Sequence, residues 1–240
     1  NGTLTDTETW SVSAAAAASL DLTPNGGSAT AGSAFSVTVT AYDTYGNIAT
    51  GYTGAVTFTS SDTGATLPAN YTFVAGDNGA HTFTNGVTLT TSGSQTVTVT
   101  DTVNGTLTDT ETWSVSAATA ASLDLTPNGG SATAGSAFSV TVTAYDTYGN
   151  IATGYTGAVT FTSSDTGATL PANYTFVAGD NGAHTFTNGV TLTTSGSQTV
   201  TVTDTVNGTL TDTETWSVGT SSVSYITITP NGGSTTAGFA

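Results

Sequence analysis

The sequence predicts an all-β protein made of tandem seven-stranded β-sandwiches, and three observations carry that prediction. Residues 1–103 recur as 104–206 with one change, Ala16 to Thr119, and a third copy begins at Asn207. A period of 103 residues is the size of a whole small domain, well above the roughly 20–50 residues of a solenoid unit. Apolar and hydroxyl residues alternate with period two, as in Phe35-Ser-Val-Thr-Val-Thr-Ala41 and Gln95-Thr-Val-Thr-Val-Thr100, which is the pattern of half-buried strands. Clusters of Gly, Asn, Asp and Pro cut these runs at short intervals.

In order, the first repeat gives seven strand candidates: Ser19–Thr23, Ala34–Tyr42, Ala55–Ser60, Asn70–Val74, Ala80–Thr91, Gln95–Val103 and Thr106–Ser114. Pro24-Asn-Gly-Gly ends the first, Asp43-Thr-Tyr-Gly-Asn the second, Ser61-Asp-Thr-Gly the third, Ala75-Gly-Asp-Asn-Gly the fourth and Ser92-Gly-Ser the fifth. Thr, 60 of the 240 residues, keeps a β-branched side chain on the wet face, so that face also favours extended backbone. Asn85-Gly86 resembles a two-residue hairpin turn, but a hairpin there scrambles the apolar face. One bent strand with a bulge keeps Phe83, Val87 and Leu89 together. At Asn104-Gly105 a three-residue hairpin loop is expected, aligning Val97 with Trp113 and placing Asp101 opposite Asp109. Trp10, Trp113 and Trp216 are expected to anchor each final strand in the core.

The poly-Ala stretches Ala14–Ala18 and Ala117–Ala121 are too short for a stable helix and read as tight linkers. Seven short strands in about a hundred residues mark an immunoglobulin-like sandwich. The domains are then 19–116 and 122–219. Residues 1–13 are expected to be the last strand of a preceding domain and 223–240 the first strand of a following one, making the chain a window onto a longer array.

The segment Ser36-Val-Thr-Val-Thr-Ala-Tyr-Asp-Thr-Tyr-Gly-Asn47, followed by Gly54-Ala-Val-Thr-Phe58, resembles the bacterial immunoglobulin-like domains of invasin- and intimin-type surface proteins. It is also similar to repeats of very large secreted bacterial proteins. The resemblance covers both complete domains, and its Asp-x-x-Gly-Asn turn recurs at Asp146–Asn150. It implies a sandwich fold and a cell-surface or extracellular setting, often as a stalk, and no catalytic residue.

Composition excludes whole function classes. The chain has no Lys, Arg, Cys or Met and a formal charge of −16. Nucleic-acid binding, which needs Lys and Arg on phosphates, is excluded, and so is attraction to an anionic membrane. Disulfides and Lys–Asn isopeptide bonds are chemically impossible. No apolar run reaches the roughly 18 residues of a membrane span.

The carboxylates are the main chemical signal. Sandwich topology gathers Asp43, Asp77, Asp101 and Asp109 toward the pole at the domain's N-terminus, with Glu111 following Asp109 on the same face. The equivalent set is Asp146, Asp180, Asp204, Asp212 and Glu214. Opposed like charges without Lys or Arg destabilise a sheet, and a bound Ca²⁺ would relieve them; solvated edge carboxylates and turn-capping Asp residues are the alternative. His81 and His184 have neither a Cys nor a second His nearby in sequence, so a transition-metal site is not expected. Tyr42, Tyr45, Tyr52 and Tyr71 either cover the sandwich ends or stack on sugars. Asn70, Asn104, Asn173 and Asn207 are glycosylation candidates, as is Asn1, each in Asn-x-Thr.

No Gly-x-Ser-x-Gly elbow is present and no loop is long enough to build a cleft, so no enzyme activity and no required cofactor are expected. The expected function is a structural repeat segment of a long extracellular stalk or filament. Its partners are neighbouring repeats or other copies in a fibre. The alternative is an adhesin region binding a glycan or a surface receptor.

Overall fold

A computed structural model describes residues 5–221. The first sandwich comprises β1 Ser19–Thr23, β2 Gly27–Thr30, β3 Ala34–Tyr42, β4 Ala55–Ser60, β5 Tyr71–Thr72, β6 Ala80–Thr88, β7 Gly93–Asp101 and β8 Thr108–Ser116. They make a three-stranded sheet of order β1-β3-β6 and a five-stranded sheet of order β2-β8-β7-β4-β5. The second sandwich comprises β9 Ser122–Thr126, β10 Gly130–Thr133, β11 Ala137–Tyr145, β12 Ala158–Ser163, β13 Tyr174–Thr175, β14 Ala183–Thr191, β15 Gly196–Asp204 and β16 Thr211–Gly219. Its sheets run β14-β11-β9 and β10-β16-β15-β12-β13.

Three strands fall where the alternation placed them; one was not anticipated. Gly27–Thr30 pairs in parallel with β8, Gly27 opposite Trp113, and carries side chains too small to show a period-two signal. The first strand is thus split at Pro24-Asn-Gly-Gly, which lets the chain cross from one sheet to the other. Gly26, at φ 71°, passes so close to β8 that a Cβ would overlap the Thr112 carbonyl, which requires glycine there. The fourth candidate, Asn70–Val74, shortens to the two residues Tyr71 and Thr72, paired with Val56 and Ala55, with one further bond from the Phe73 N–H to the Gly54 carbonyl at 3.0 Å.

Core residues alternate as the sequence predicts. Leu20, Leu22, Val37, Val39, Val56, Phe58, Val87, Leu89, Val97, Val99, Trp113 and Val115 close one apolar cluster. Trp113 packs against Phe35 with ring centroids 5.3 Å apart. β6 runs unbroken through Asn85, whose φ is 50°, and its register with β3 shifts between Phe35 and Val37. This is the expected bulge. On the wet face, paired hydroxyls stand where other sheets use charges: Thr38 with Thr82 at 2.8 Å, Thr98 with Thr110 at 2.8 Å and Thr100 with Thr108 at 2.9 Å. Such cross-strand pairs contribute about 0.2–1 kcal/mol each.

The hairpin register differs from expectation by two residues. Val97 faces Glu111 and Gln95 faces Trp113, so Asp101 does not oppose Asp109; Val99 does. A shift of two leaves the inward and outward faces unchanged, and the hydrophobic pattern therefore had no power to choose. The loop's own hydrogen bonds choose instead. Asp101 Oδ1 accepts the N–H groups of Val103 and Asn104 at 2.8 and 2.9 Å, and Asn104 Oδ1 accepts the Thr106 hydroxyl at 2.7 Å.

Trp113 and Trp216 are 2% exposed, but Trp10 is 83% exposed. Residues 5–18 form no strand, and without a ladder partner Trp10 has no face to bury against. The expected strand at 223–240 lies outside the described residues.

Candidate functional site

The strand ends bring Asp43, Asp77 and Asp101 to the pole where the chain enters β1. Ser19 is opposite Tyr42, Thr40 opposite Ala80 and Val56 opposite Asp101. Each carboxylate, however, is occupied by its own loop.

Asp43 is 4% exposed. Its Oδ1 accepts the N–H groups of Tyr45 and Asn47, both at 2.9 Å, and its Oδ2 accepts the N–H of Ala15 at 2.9 Å. Burial pushes its pKa up, but the Asn47 amide and the three backbone N–H groups outweigh burial and hold it at about 2. One carboxylate thus closes the turn after β3 and fastens the poly-Ala linker. Asp146 does the same with Ala118 at 2.9 Å, and its pKa is likewise lowered.

Asp77 ends a short 3-10 turn, Ala75–Asp77. It accepts the Val74 N–H at 2.7 Å and the Tyr71 hydroxyl at 3.1 Å, and meets His81 Nδ1 at 3.0 Å. The Val74 N–H lowers its pKa most, burial opposes, and His81 and Tyr71 lower it further. Tyr71 stacks on His81 at 3.8 Å between ring centroids. In the second repeat Asp180 accepts the Val177 N–H at 2.8 Å.

Asp101 receives the Tyr52 hydroxyl at 2.5 Å. Burial raises its pKa and the Asn104 N–H, the Tyr52 hydroxyl and the Val103 N–H bring the net below the usual carboxylate value. Asp204 holds Val206 and Asn207 in the same way, both at 2.8 Å.

Asp109 is elsewhere. Its Oδ2 accepts the N–H of Leu22 at 2.7 Å, and Asp212 accepts that of Leu125 at 2.7 Å. β1 and β9 lie at sheet edges, so each aspartate caps a backbone donor the sheet leaves open. Glu111 is pushed up, first by burial, then by Asp109 and Asp21; Glu214 is pushed up by burial, Asp212 and Asp124.

Among the described residues no three His, Asp or Glu side chains converge as a metal site requires. The donor set does not fit a resident Ca²⁺, which takes six to eight oxygens, because these oxygens already accept N–H and O–H groups. The two-residue register shift parts Asp101 from Asp109, while Glu111 still faces the charges of Asp109 and Asp21.

The sequence reading missed Asp62. It is 4% exposed and accepts N–H groups from Gly64 at 2.9 Å, Thr90 at 2.5 Å and Thr91 at 3.0 Å, and the Thr91 hydroxyl at 2.7 Å. Ser61-Asp-Thr-Gly signals a turn, but nothing in it announces a reach to Thr90 and Thr91. Tyr52 is 8% exposed and covers the sandwich end, whereas Tyr45 is 83% exposed. Asn70, Asn104, Asn173 and Asn207 all stand exposed on loops.

No protein-family model matches the chain, and a search of curated proteins finds no similar sequence. Among solved structures, the chain is similar to the Escherichia coli adhesin FdeC, at 22% identity over 87% of this chain and 67% of that one, with a TM-score of 0.47. A structure of domains 1–6 of the surface layer protein SbsC is 26% identical over 88% of this chain and 29% of that one, TM-score 0.37. Invasin, a bacterial integrin-binding protein, is 22% identical over 84% of this chain and 39% of its own, TM-score 0.35. None of the three carries a functional argument by itself. The sheets decide the architecture. The fold is that of tandem immunoglobulin-like sandwiches. In these sandwiches the polar residues that look like a site in sequence are the fastenings of the loops.

Proposed function

We propose that the chain is a structural repeat segment of an extracellular or cell-surface stalk, giving reach and cohesion without catalysis. The observation that supports this reading most is the exact recurrence of a 103-residue unit with one substitution, in which the pole carboxylates are consumed by the fold's own N–H groups. A site selected for chemistry keeps groups available to a substrate; here the dent lined by Ala14–Ala17, Gly51–Gly54 and Leu107 holds no carboxylate and no histidine. Cohesion comes from burial and hydrogen-bonded ladders, because no disulfide or Lys-based crosslink is chemically available. The acidity keeps neighbouring chains apart and soluble.

The adhesin reading has one observation in its favour, the exposed ring of Tyr45 at a turn tip, which suits stacking on a sugar. Electron microscopy of the chain and a glycan-array screen separate the two. Regular fibres and an empty array support the structural reading. Saturable binding to a defined glycan, lost in Tyr45→Ala, overturns it in favour of the adhesin.

A further inference from the structure

The dipeptide Asn-Gly recurs along the chain, at Asn25, Asn78, Asn85 and Asn104 in the first sandwich, and the fold treats its copies differently. In this pair an asparagine side chain is open to attack by its own backbone, because glycine has no Cβ to keep the next nitrogen away from Cγ. At Asn25 that nitrogen is taken. The Gly26 N–H donates to the Pro24 carbonyl at 2.7 Å, and Gly26 is wedged against the Thr112 carbonyl. At Asn78 the side chain is taken. Its Nδ2 donates to the Gly76 carbonyl at 3.1 Å, and the following Gly79 is buried against the Ala49 carbonyl. Asn85 lies inside β6, and its N–H donates to Ser36 Oγ at 2.9 Å.

Asn104 differs from all three. With Gly105 and Thr106 it forms the exposed tip of the β7–β8 loop, and nothing lies within 4 Å of a Cβ built on Gly105. Among the described residues no acceptor takes the Gly105 N–H and none takes Asn104 Nδ2. Asn104 Oδ1 accepts the Thr106 N–H at 3.3 Å and the Thr106 hydroxyl at 2.7 Å. Two donors thus already face the oxygen that turns negative when Cγ is attacked. The second sandwich repeats the arrangement: Asn207 Oδ1 accepts the Thr209 N–H at 3.3 Å and its hydroxyl at 2.7 Å, and nothing lies within 4 Å of a Cβ built on Gly208.

We propose that Asn104-Gly105 and Asn207-Gly208 are sites of spontaneous self-modification, at which the folded chain converts asparagine to aspartate and isoaspartate with water as the only co-reactant. The Gly105 nitrogen gives its proton to solvent and bonds to Asn104 Cγ. The Cγ–Nδ2 bond then breaks and ammonia leaves with a proton, closing a five-membered succinimide. Water next adds to one of the two ring carbonyls. Addition at Cγ breaks the new Cγ–N bond and gives aspartate on an ordinary backbone. Addition at the main-chain carbonyl breaks the original peptide bond and gives isoaspartate, with the backbone rerouted through the side chain and one methylene longer. No electron is gained or lost. Either product adds a negative charge to a chain already at −16, beside Asp101, which holds the N–H groups of Val103 and Asn104. One loop in each sandwich therefore gains charge with age. The inference stands on loop geometry and not on the stalk reading.

The test is incubation of the full folded chain in ¹⁸O-labelled water at mildly alkaline pH, followed by cold digestion with an Asp-specific endoprotease and mass spectrometry. Cleavage before each Asp separates the peptide 101–108, which carries Asn104, from 21–42, which carries Asn25. The peptides 204–211 and 124–145 have the same two sequences, so each mass reports both sandwiches. The expected result is that 101–108 takes up label at least about tenfold faster than 21–42, a barrier difference of about 1.4 kcal/mol. In denaturant the two rates should converge, because both peptides contain Asn-Gly and only the fold sets them apart. Gly105→Ala meets no neighbour and should slow conversion at Asn104 by about tenfold or more, about 1.4 kcal/mol. Asn207 keeps its parent rate in the same molecule, and the heavier alanine peptide tells the two apart. An unlabelled 101–108 in folded protein, equal rates for the two peptides in the fold, or a rate ratio that persists in denaturant each overturn the proposal.

Discussion

Asp62→Ala removes the acceptor that closes the end of the first sandwich opposite the chain's entry. Three backbone donors lose their partner, those of Gly64, Thr90 and Thr91, together with the Thr91 hydroxyl. Thr90 is half-buried while Gly64 and Thr91 are exposed; a stranded buried donor costs about 1–3 kcal/mol and water reaches the two exposed ones, so the expected loss is about 2–3 kcal/mol. A domain of this size moves by about 4–8 °C per kcal/mol, which sets a shift of at least about 8 °C. The second repeat is an internal control, since Asp165 makes the same bonds, to Gly167 at 3.0 Å and Thr194 at 3.0 Å. Calorimetry of the Asp62→Ala chain should show two transitions where the parent shows one, the upper at the parent temperature. Burial raises the Asp62 pKa, but the N–H groups of Thr91 and Thr90 and the other donors bring it to about 2 from 3.8. A depressed carboxylate pKa adds stability above the unfolded value that is lost as pH falls through the folded one. The gap between variant and parent should therefore be full above pH 3.8 and narrow toward pH 2. A single unshifted transition, or a gap indifferent to pH in that window, would refute the reasoning.

Trp113→Ala should cost about 3–5 kcal/mol by denaturant titration, whereas Trp10→Ala should stay within about 0.5 kcal/mol. Glu111→Gln should stabilise the first sandwich at neutral pH, because burial and the nearby Asp109 and Asp21 disfavour its charged form. That gain should vanish below pH 4.5, the ordinary glutamate value, where the parent is also protonated; a thermal melt series across pH checks it. Calcium or a chelator should leave the melting temperature unchanged, and a calcium-dependent rise of several degrees would show that the pole carboxylates do hold a cation.

Period-two alternation and turn residues made β1, β3 and β4 legible to the residue, and the bulge at Asn85-Gly86 followed from keeping Phe83, Val87 and Leu89 on one face. What escaped had no side-chain signature. Gly27–Thr30 pairs through backbone alone, and the hairpin register turned on hydrogen bonds from Asp101 and Asn104 that the apolar pattern does not sense. The acidic residues were found but their roles were not. Sequence places Asp43 in the turn after a strand and Asp101 within one; only geometry shows that Ala15, Tyr52 and the turn N–H groups already occupy them.

The central claim is that each sandwich is held by its ladders and core rather than by crosslinks. Pulling single chains from their ends tests it most directly. A repeat of 103 residues extends to roughly 340–370 Å at about 3.3–3.6 Å per residue, against a folded length of about 35–45 Å from its strands and end loops. The account predicts two force peaks of equal height, each releasing about 300 Å of chain. Extension without peaks, or one release of both repeats together, would contradict it.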